Sequence, residues 1–519
     1  MAPQTAFGTG PVVWSGRSAV RWVVGLLASA LVWSGTSPVA VAAPEPSWAS
    51  AEDLDAFLRE RVKDLHLPGL AVVVVTDGEV HFEGTYGEAR PGVAVTLDTP
   101  FLLGSTSKQF TALAVQQLIA DGELALDTPV AHILPAFADA GPPHSQITVE
   151  QLLAHRSGLA EERLEWSPWL TSATLQEEAT HLAGVPLTAP PGEAYAYVNS
   201  GYTVLGAVVE QVAGMPFDEA LQPLVVKPLG LTATTGDLEA AAENGLAAPH
   251  YTWFQRVNVE TPSPMAPYAV PAALLTSTAR DLTTLVRAHL GTGTGVDPEV
   301  LRAAREPLGA VDEHTDYASG WLVRGLWELT DDDVGWDSPD RPTLWEHEGS
   351  IPRALSSLSF SPELGLGVVA LTNTGAGTDQ VGWWRFRYDL HHAVLGTRGL
   401  PQEPDLLVAA APLLMLGLPI AQAGTLIWWA VTRHRRPLGS IARAAAGATA
   451  ALALVFAFGL VPPRTGMPLL DHRWVAVVPD LAISVAAMLA LASAFVVAAV
   501  TAAVRGRRRS PGQVRRGQP

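Results

Sequence analysis

The sequence predicts a mixed α/β domain of the α+β kind, followed by three membrane-spanning helices. Three observations lead there. A β-branched run with a hairpin signal lies early in the chain, and a second pair of strand-like runs lies far downstream. Mostly helical periodicity fills the interval, and three long segments without a charged residue follow residue 402. Strands at both ends of a domain with helices between them imply one sheet assembled from the domain's two termini. At 519 residues the chain is too long for one ordinary domain, so more than one unit is expected.

Taken in order, residues 1–42 read as a secretory signal. Arg17 and Arg21 precede the apolar run Trp22–Trp33, and Ala40-Val41-Ala42 fits a small-x-small cleavage site. The run is about 12 residues, short of the ~20 that a spanning helix needs. The body of the chain occupies residues 43–402. Within it Ser47–Leu65 carries apolar residues at helical spacing, and Leu70–Thr76 is a β-branched run. Asp77-Gly78 is a hairpin signal, with Val80–Thr85 alternating as the partner strand. Residues 106–120 and 149–156 read as helices. Ala354–Phe360 and Gly365–Asn373 read as adjacent strands joined through Ser361–Gly365. Residues 379–395 read as a closing helix, with His391 and His392 on its surface. The acidic stretch Asp331–Asp340 lacks the spacing of a calcium loop and reads as a solvated loop.

Residues 403–519 read as a membrane region, with spans near 406–432, 444–461 and 481–504. The last of these is 24 residues long, roughly 36 Å as a helix, against a hydrocarbon core of ~30 Å. Arg433, Arg435, Arg436 and Arg443 follow the first span, and Arg505, Arg507, Arg508, Arg509, Arg515 and Arg516 follow the third. Arginine excess marks the cytoplasmic side. The body is therefore expected outside the cell membrane, where a signal segment would also put it, and the lipid bilayer is an expected partner of the C-terminus.

Charge and composition exclude several classes. Residues 44–402 hold 19 basic and 47 acidic side chains, a net of −28, whereas residues 403–519 carry +8. A body so acidic repels nucleic acid, so none is expected as a partner. There is no cysteine, which excludes a disulfide framework, a thiolate metal site and a cysteine nucleophile.

The sharpest local signal is Gly104-Ser105-Thr106-Ser107-Lys108, opening an apolar helix-like run. On a helix, residues 105 and 108 lie one turn apart on one face. A serine hydroxyl becomes a useful nucleophile only with a base beside it and a site for the oxyanion. Lysine can serve as that base when neutral, whereas arginine cannot deprotonate. The chain has three lysines, Lys63, Lys108 and Lys227, against thirty arginines, so a lysine placed here is informative.

Two further motifs follow in order. Pro191-Gly192 leads into Tyr197-Val198-Asn199-Ser200-Gly201-Tyr202, and Thr203–Val212 reads as a helix. Later, His347-Glu348-Gly349-Ser350 opens the final strand region. Of the nearby tyrosines only Tyr197 has Asn two residues on. This ordered set resembles the family of class C β-lactamases, DD-peptidases and related esterases over roughly residues 50–396. His155-Arg156-Ser157-Gly158-Leu159 and Tyr317-Ala318-Ser319-Gly320-Trp321 are flanking phrases that fit as well. The resemblance implies an antiparallel sheet flanked by helices, with a mostly helical subdomain. It implies that Ser105 is acylated, that Lys108 takes or shares its proton, and that Tyr197 relays a proton to the leaving group and then to water. Asn199 would donate to the substrate amide and orient Lys108. His347 would contact a substrate carboxylate or tune Tyr197, and Gly349 would let the strand backbone approach the substrate. The N–H groups of Ser105 and Ser350 would form the oxyanion hole. The chemistry requires no metal or cofactor, and the substrate is expected to be a small molecule or a peptide.

Two departures qualify the resemblance. His-Glu-Gly stands where β-lactamases have Lys-Thr-Gly, which fits peptidases and esterases better than β-lactam hydrolysis. After Gly349, family members commonly carry another glycine, where this chain has Arg353; it would either bind an acidic substrate or narrow the cleft at its rim. Three functions compete: an acyl-serine hydrolase, a penicillin-binding sensor, and a silent binding module. Only short basic loops and a tail of about fifteen residues lie on the cytoplasmic side of the proposed topology, which leaves a sensor little to signal with. Retention of Ser105, Lys108, Tyr197 and Asn199 together argues for the hydrolase.

Overall fold

The computed structural model describes residues 48–160, 174–254, 256–261, 266–293, 295–326, 341–351, 353–375, 380–397 and 419–424, with scattered positions elsewhere between 416 and 501. The signal segment, the stretch Asp331–Asp340 and the 444–461 span lie outside them. Of the spans at 406–432 and 481–504 only parts are included. Among the described residues no helix is long and apolar enough to cross a membrane.

The strands are β1 Gly69–Thr76, β2 Glu79–Arg90, β3 Val93–Ala94, β4 Phe101–Leu102, β5 His250–Trp253, β6 Val257–Glu260, β7 Thr276–Ser277, β8 Gly309–Ala310, β9 Thr315–Tyr317, β10 Leu322–Gly325, β11 Thr343–Ile351, β12 Ala354–Ser361 and β13 Leu366–Thr372. Nine of them form one antiparallel sheet in the order β3-β2-β1-β13-β12-β11-β10-β9-β8. β1 pairs with β13 from Leu70↔Thr372 to Val75↔Gly367, so the sheet does join the two ends of the domain. β4 pairs with β7 and β5 with β6 in two small ladders.

The unbroken apolar run of β1 follows from its central place. Ala71, Val73 and Val75 point into a core shared with the helical region. Leu70, Val72 and Val74 point the other way, against Leu54 and Leu58 of the first helix, Ala51–Asp64, and Trp383, Phe386 and Leu390 of the closing helix, Gln380–Val394. A strand covered on both faces has no use for polar alternation. The Ser50 Oγ caps the first helix by accepting from the Asp53 N–H at 3.1 Å.

Two sequence expectations need correction. His391 and His392 are buried rather than on the surface. The closing helix lies on the sheet, so His391 Nε2 meets Ser359 Oγ of β12 at 2.8 Å, while His392 Nδ1 meets Thr397 Oγ1 at 2.7 Å. The helix expected over 149–156 ends at Leu153, because His155 turns the chain with a left-handed φ of 55°.

Candidate active site

The nucleophile helix, Ser107–Ala120, is preceded by a 3₁₀ turn at Gly104–Thr106 that presents Ser105. The helix runs through the interior, and its polar side chains are met accordingly. Gln109 Nε2 donates to Gly320 O at 3.0 Å, Thr111 Oγ1 to Pro271 O at 2.7 Å, and Gln116 Nε2 to Ser319 Oγ at 2.9 Å. The Tyr317–Trp321 phrase is thus laced to this helix. Gly320, with φ 83°, lets that phrase lie directly on the helix backbone, where a Cβ would meet Gln109 N at 3.1 Å.

Lys108 is 0 % exposed. Its Nζ lies 3.2 Å from Ser105 Oγ, 2.6 Å from Asn199 Oδ1 and 2.8 Å from Ala272 O. The amide and backbone oxygens can only accept, so each holds one of the amine's hydrogens and a further direction faces Ser105. Asn199 opens the helix Asn199–Ala213, four residues before the apolar run that marks it in the sequence. Its Oδ1 therefore points at Lys108 from a fixed helix start. The Nζ stands 4.9 Å from the centroid of the Tyr197 ring and 5.6 Å from that of Tyr202. Tyr197 is 39 % exposed, so it joins the buried amine to the surface, whereas Tyr202 is buried and donates to Leu153 O at 3.2 Å.

Gly349 and Ser350 on β11 abut the nucleophile turn. A Cβ on Gly104 would meet Ser350 N at 2.7 Å, and one on Gly349 would meet Leu103 O at 1.8 Å and Ser356 Oγ at 2.2 Å. The chain's own Leu103 carbonyl is by itself enough to exclude a side chain there. Ser356 Oγ donates to Leu103 O at 2.5 Å and also meets Thr106 Oγ1 at 2.8 Å. This close packing brings the backbone N–H of Ser350 beside the turn that carries Ser105.

His347 also reaches the site, with both ring nitrogens engaged. Nδ1 lies 2.7 Å from Glu348 O and Nε2 lies 3.3 Å from Tyr317 Oη. Burial, and after it the Lys108 charge, holds its pKa down to about 3, so the ring is neutral. A neutral imidazole here carries no charge to set against a substrate carboxylate, and its centroid lies 6.0 Å from that of the Tyr197 ring. Arg353 is not on a rim: it is 5 % exposed, and its Nε and Nη1 have no hydrogen-bond partner among the described residues. Two residues to which the sequence assigned no role, His155 and Tyr317, lie in contact with this group. The His155 ring packs on Tyr197 with centroids 4.3 Å apart, and its Nε2 is 3.1 Å from Tyr317 Oη. Their motifs were visible as flanking phrases, but nothing local in the sequence pairs positions 162 residues apart.

Comparison with known proteins gives the family. The Beta-lactamase family model matches residues 54–391. Penicillin-binding protein 4 of Amycolatopsis lactamdurans is 32% identical over 373 residues, covering 69% of this chain and 92% of that protein. Esterase EstB of Burkholderia gladioli is 31% identical over 370 residues, covering 62% of this chain and 90% of the esterase. Among solved structures, a class C beta lactamase from Rhodobacter sphaeroides superposes with a TM-score of 0.56 at 25% identity, covering 66% of this chain and 99% of that one. A family match across most of the body, on a fold that seats a lysine amine against a serine hydroxyl, makes this chain a member of the beta-lactamase family of serine hydrolases.

Proposed function

We propose that the chain is an exported, membrane-anchored hydrolase that cleaves a peptide, amide or ester through an acyl-enzyme on Ser105. The observation that carries this reading is Lys108 Nζ, 3.2 Å from Ser105 Oγ and held there by Asn199 Oδ1 and Ala272 O. Neutral Lys108 takes the Ser105 proton as Oγ bonds to the substrate carbonyl carbon. The oxyanion that forms accepts from the N–H groups of Ser105 and Ser350. Tyr197, at the mouth of the site, passes a proton to the leaving amine or alkoxide as the C–N or C–O bond breaks. Water then attacks the acyl-enzyme and gives its proton back through the same pair, releasing a carboxylic acid and restoring Ser105. Asn199 orients Lys108 and is placed to donate to the substrate amide.

The neutral His347 favours peptidase or esterase chemistry over β-lactam hydrolysis, because no cation stands in the third motif. Similarity to a penicillin-binding protein and to an esterase supports that substrate range. The apolar segments at 406–432, 444–461 and 481–504, with arginines between and after them, support a multi-pass anchor that leaves the body outside the cell.

Intact-protein mass spectrometry of the full-length chain, exposed separately to a penicillin and to an activated ester, tests the chemistry with Ser105→Ala as control. A Ser105-dependent adduct is expected, faster with the ester. A folded protein that forms no adduct with either reagent overturns the reading in favour of a silent binding module. The anchor is tested by alkaline extraction of membranes: the full chain should stay in the pellet and a chain ending at residue 402 should not. Release of both removes the membrane region from the account.

A further inference from the structure

His155 takes no part in the steps above, yet it grips both neighbours of Tyr197. Its carbonyl accepts from the Ala196 N–H at 2.8 Å, and its ring Nδ1 accepts from the Val198 N–H at 3.2 Å. Between these two bonds, the Tyr197 ring lies on the imidazole with centroids 4.3 Å apart. The left-handed φ of 55° at His155 lets one residue offer its carbonyl and its ring to the same segment.

The bonds continue in one direction. Because His155 Nδ1 accepts from a backbone N–H, its ring proton sits on Nε2, which donates to Tyr317 Oη at 3.1 Å. The Tyr317 hydroxyl then donates to His347 Nε2 at 3.3 Å. That leaves the His347 proton on Nδ1, where the Glu348 carbonyl accepts at 2.7 Å. The chain runs from a backbone donor to a backbone acceptor with one proton for every link. A second proton on His155 would set an N–H against the Val198 N–H. One on His347 would force Tyr317 to turn its own hydrogen away.

We propose that His155, backed by Tyr317, is a positioning residue for Tyr197, and that this ordered chain keeps both imidazoles neutral beside Lys108. Charged and titratable groups surround it on each side. Lys108 faces both rings from the nucleophile helix, and Arg387 of the closing helix and Glu346 of β11 act on His347. Tyr195, Tyr197, Tyr202 and Tyr317 pack around His155. The positive charge that forms when Lys108 takes the Ser105 proton is thereby confined to Lys108. The rate effect rests on the acyl-enzyme reading, whereas the proton order does not.

Two arms test it on the full-length protein in detergent. The first is long-range ¹H–¹⁵N spectroscopy of ¹⁵N-histidine-labelled protein, with His155→Asn and His347→Gln for assignment. His155 should be the Nε2–H tautomer and His347 the Nδ1–H tautomer, both unchanged between about pH 8 and pH 5, although histidine ordinarily titrates near 6.5. Like tautomers, or titration of either ring in that window, overturns the proposal. The second arm compares Ser105 acylation by the activated ester in wild type, Tyr317→Phe and His155→Asn. Tyr317→Phe keeps the ring and removes only the hydroxyl, and Asn tolerates the left-handed backbone. Both variants should acylate about tenfold to a hundredfold more slowly, with apparent affinity for the ester within about threefold. A wild-type rate in Tyr317→Phe overturns the positioning role. If wild type forms no Ser105 adduct, the acyl-enzyme reading fails instead, and the tautomer spectra still decide the ordered chain.

Discussion

Lys108 shows how little latitude single residues have here. Its amine is fully enclosed and reaches Ser105, Asn199 and a backbone carbonyl together. Arginine would retain a positive charge but cannot give up its proton, so it cannot act as a base. Lys108→Arg is expected to slow acylation of Ser105 by about 10²–10⁴-fold, the usual worth of a general base. The rate of adduct formation by mass spectrometry measures this, and a wild-type rate would remove Lys108 from the proton transfer. Gly349 is equally constrained, for a steric reason. A methyl group there would sit 1.8 Å from Leu103 O, so Gly349→Ala must push β11 away from the nucleophile turn. Overpacking of this kind costs about 1–3 kcal/mol or more, and the displaced Ser350 N–H would leave the oxyanion position. Both a lower urea midpoint and a slower acylation rate are expected. Loss of rate without loss of stability would indicate that substrate, rather than Leu103, sets the need for glycine.

Strand β11 works on two faces, and only one belongs to the chemistry. His347 and Gly349 look toward the nucleophile turn. On the opposite face Glu346 accepts from Arg324 Nε at 2.7 Å and from Arg387 Nη2 at 3.0 Å. Arg387 also bonds Glu348 and donates from Nε to Ser357 Oγ at 3.0 Å. Burial alone would raise the Glu346 pKa, but the two guanidinium charges outweigh it and hold the carboxyl well below the usual range. The cluster ties the closing helix to the strand that carries His347. Glu346→Gln removes the carboxylate that Arg324 and Arg387 share, leaving Arg387 with Glu348, and is expected to cost about 3–5 kcal/mol. Urea unfolding followed by tryptophan fluorescence would show it as a lower midpoint, and an unmoved midpoint would refute the tie. At this scale the sequence is readable wherever a local period exists. β1, β12 and β13 lie within a residue or two of their apolar runs, and Ser105 and Lys108 announce each other by helical spacing. The short strands β8 to β10 carry too few residues to show a period. His391 and His392 mislead because polar side chains on a terminal helix suggest solvent, whereas the nine-stranded sheet covers this helix. The link from His155 through Tyr317 to His347 joins three separate segments and exists only after folding.

Across the whole molecule three of the described histidines, His155, His289 and His347, are both buried and hard to protonate. Burial, then the Lys108 charge, pushes His155 well below its ordinary value. The same two causes hold His347 at about 3. Burial and then Arg305 hold His289 at about 3; this ring stacks on Phe360 at 4.8 Å, with neither nitrogen hydrogen-bonded among the described residues. Released by unfolding, each ring returns to an ordinary pKa near 6.5. The unfolded chain therefore binds more protons than the folded one below that value, and stability falls as pH drops from about 6.5 toward the folded pKa values. At pH 5 the linkage amounts to about 2 kcal/mol for each of His289 and His347, a large share of the stability of an ordinary domain when taken together, and His155 acts in the same direction. Carboxylates held low by arginine, such as Glu346, extend the loss only below about pH 4.5. The protein is thus expected to be flat in melting temperature above about pH 7 and to lose stability steeply between about pH 6.5 and 5, before the carboxylates titrate. Thermal melts across that range, repeated on His289→Phe, separate the contributions. His289→Phe keeps an aromatic ring against Phe360 and removes one proton site, so its acid loss should be shallower by about one proton's worth. A variant with the wild-type slope would show that His289 is not held neutral in the folded protein and would move the acid sensitivity to the pair beside Lys108.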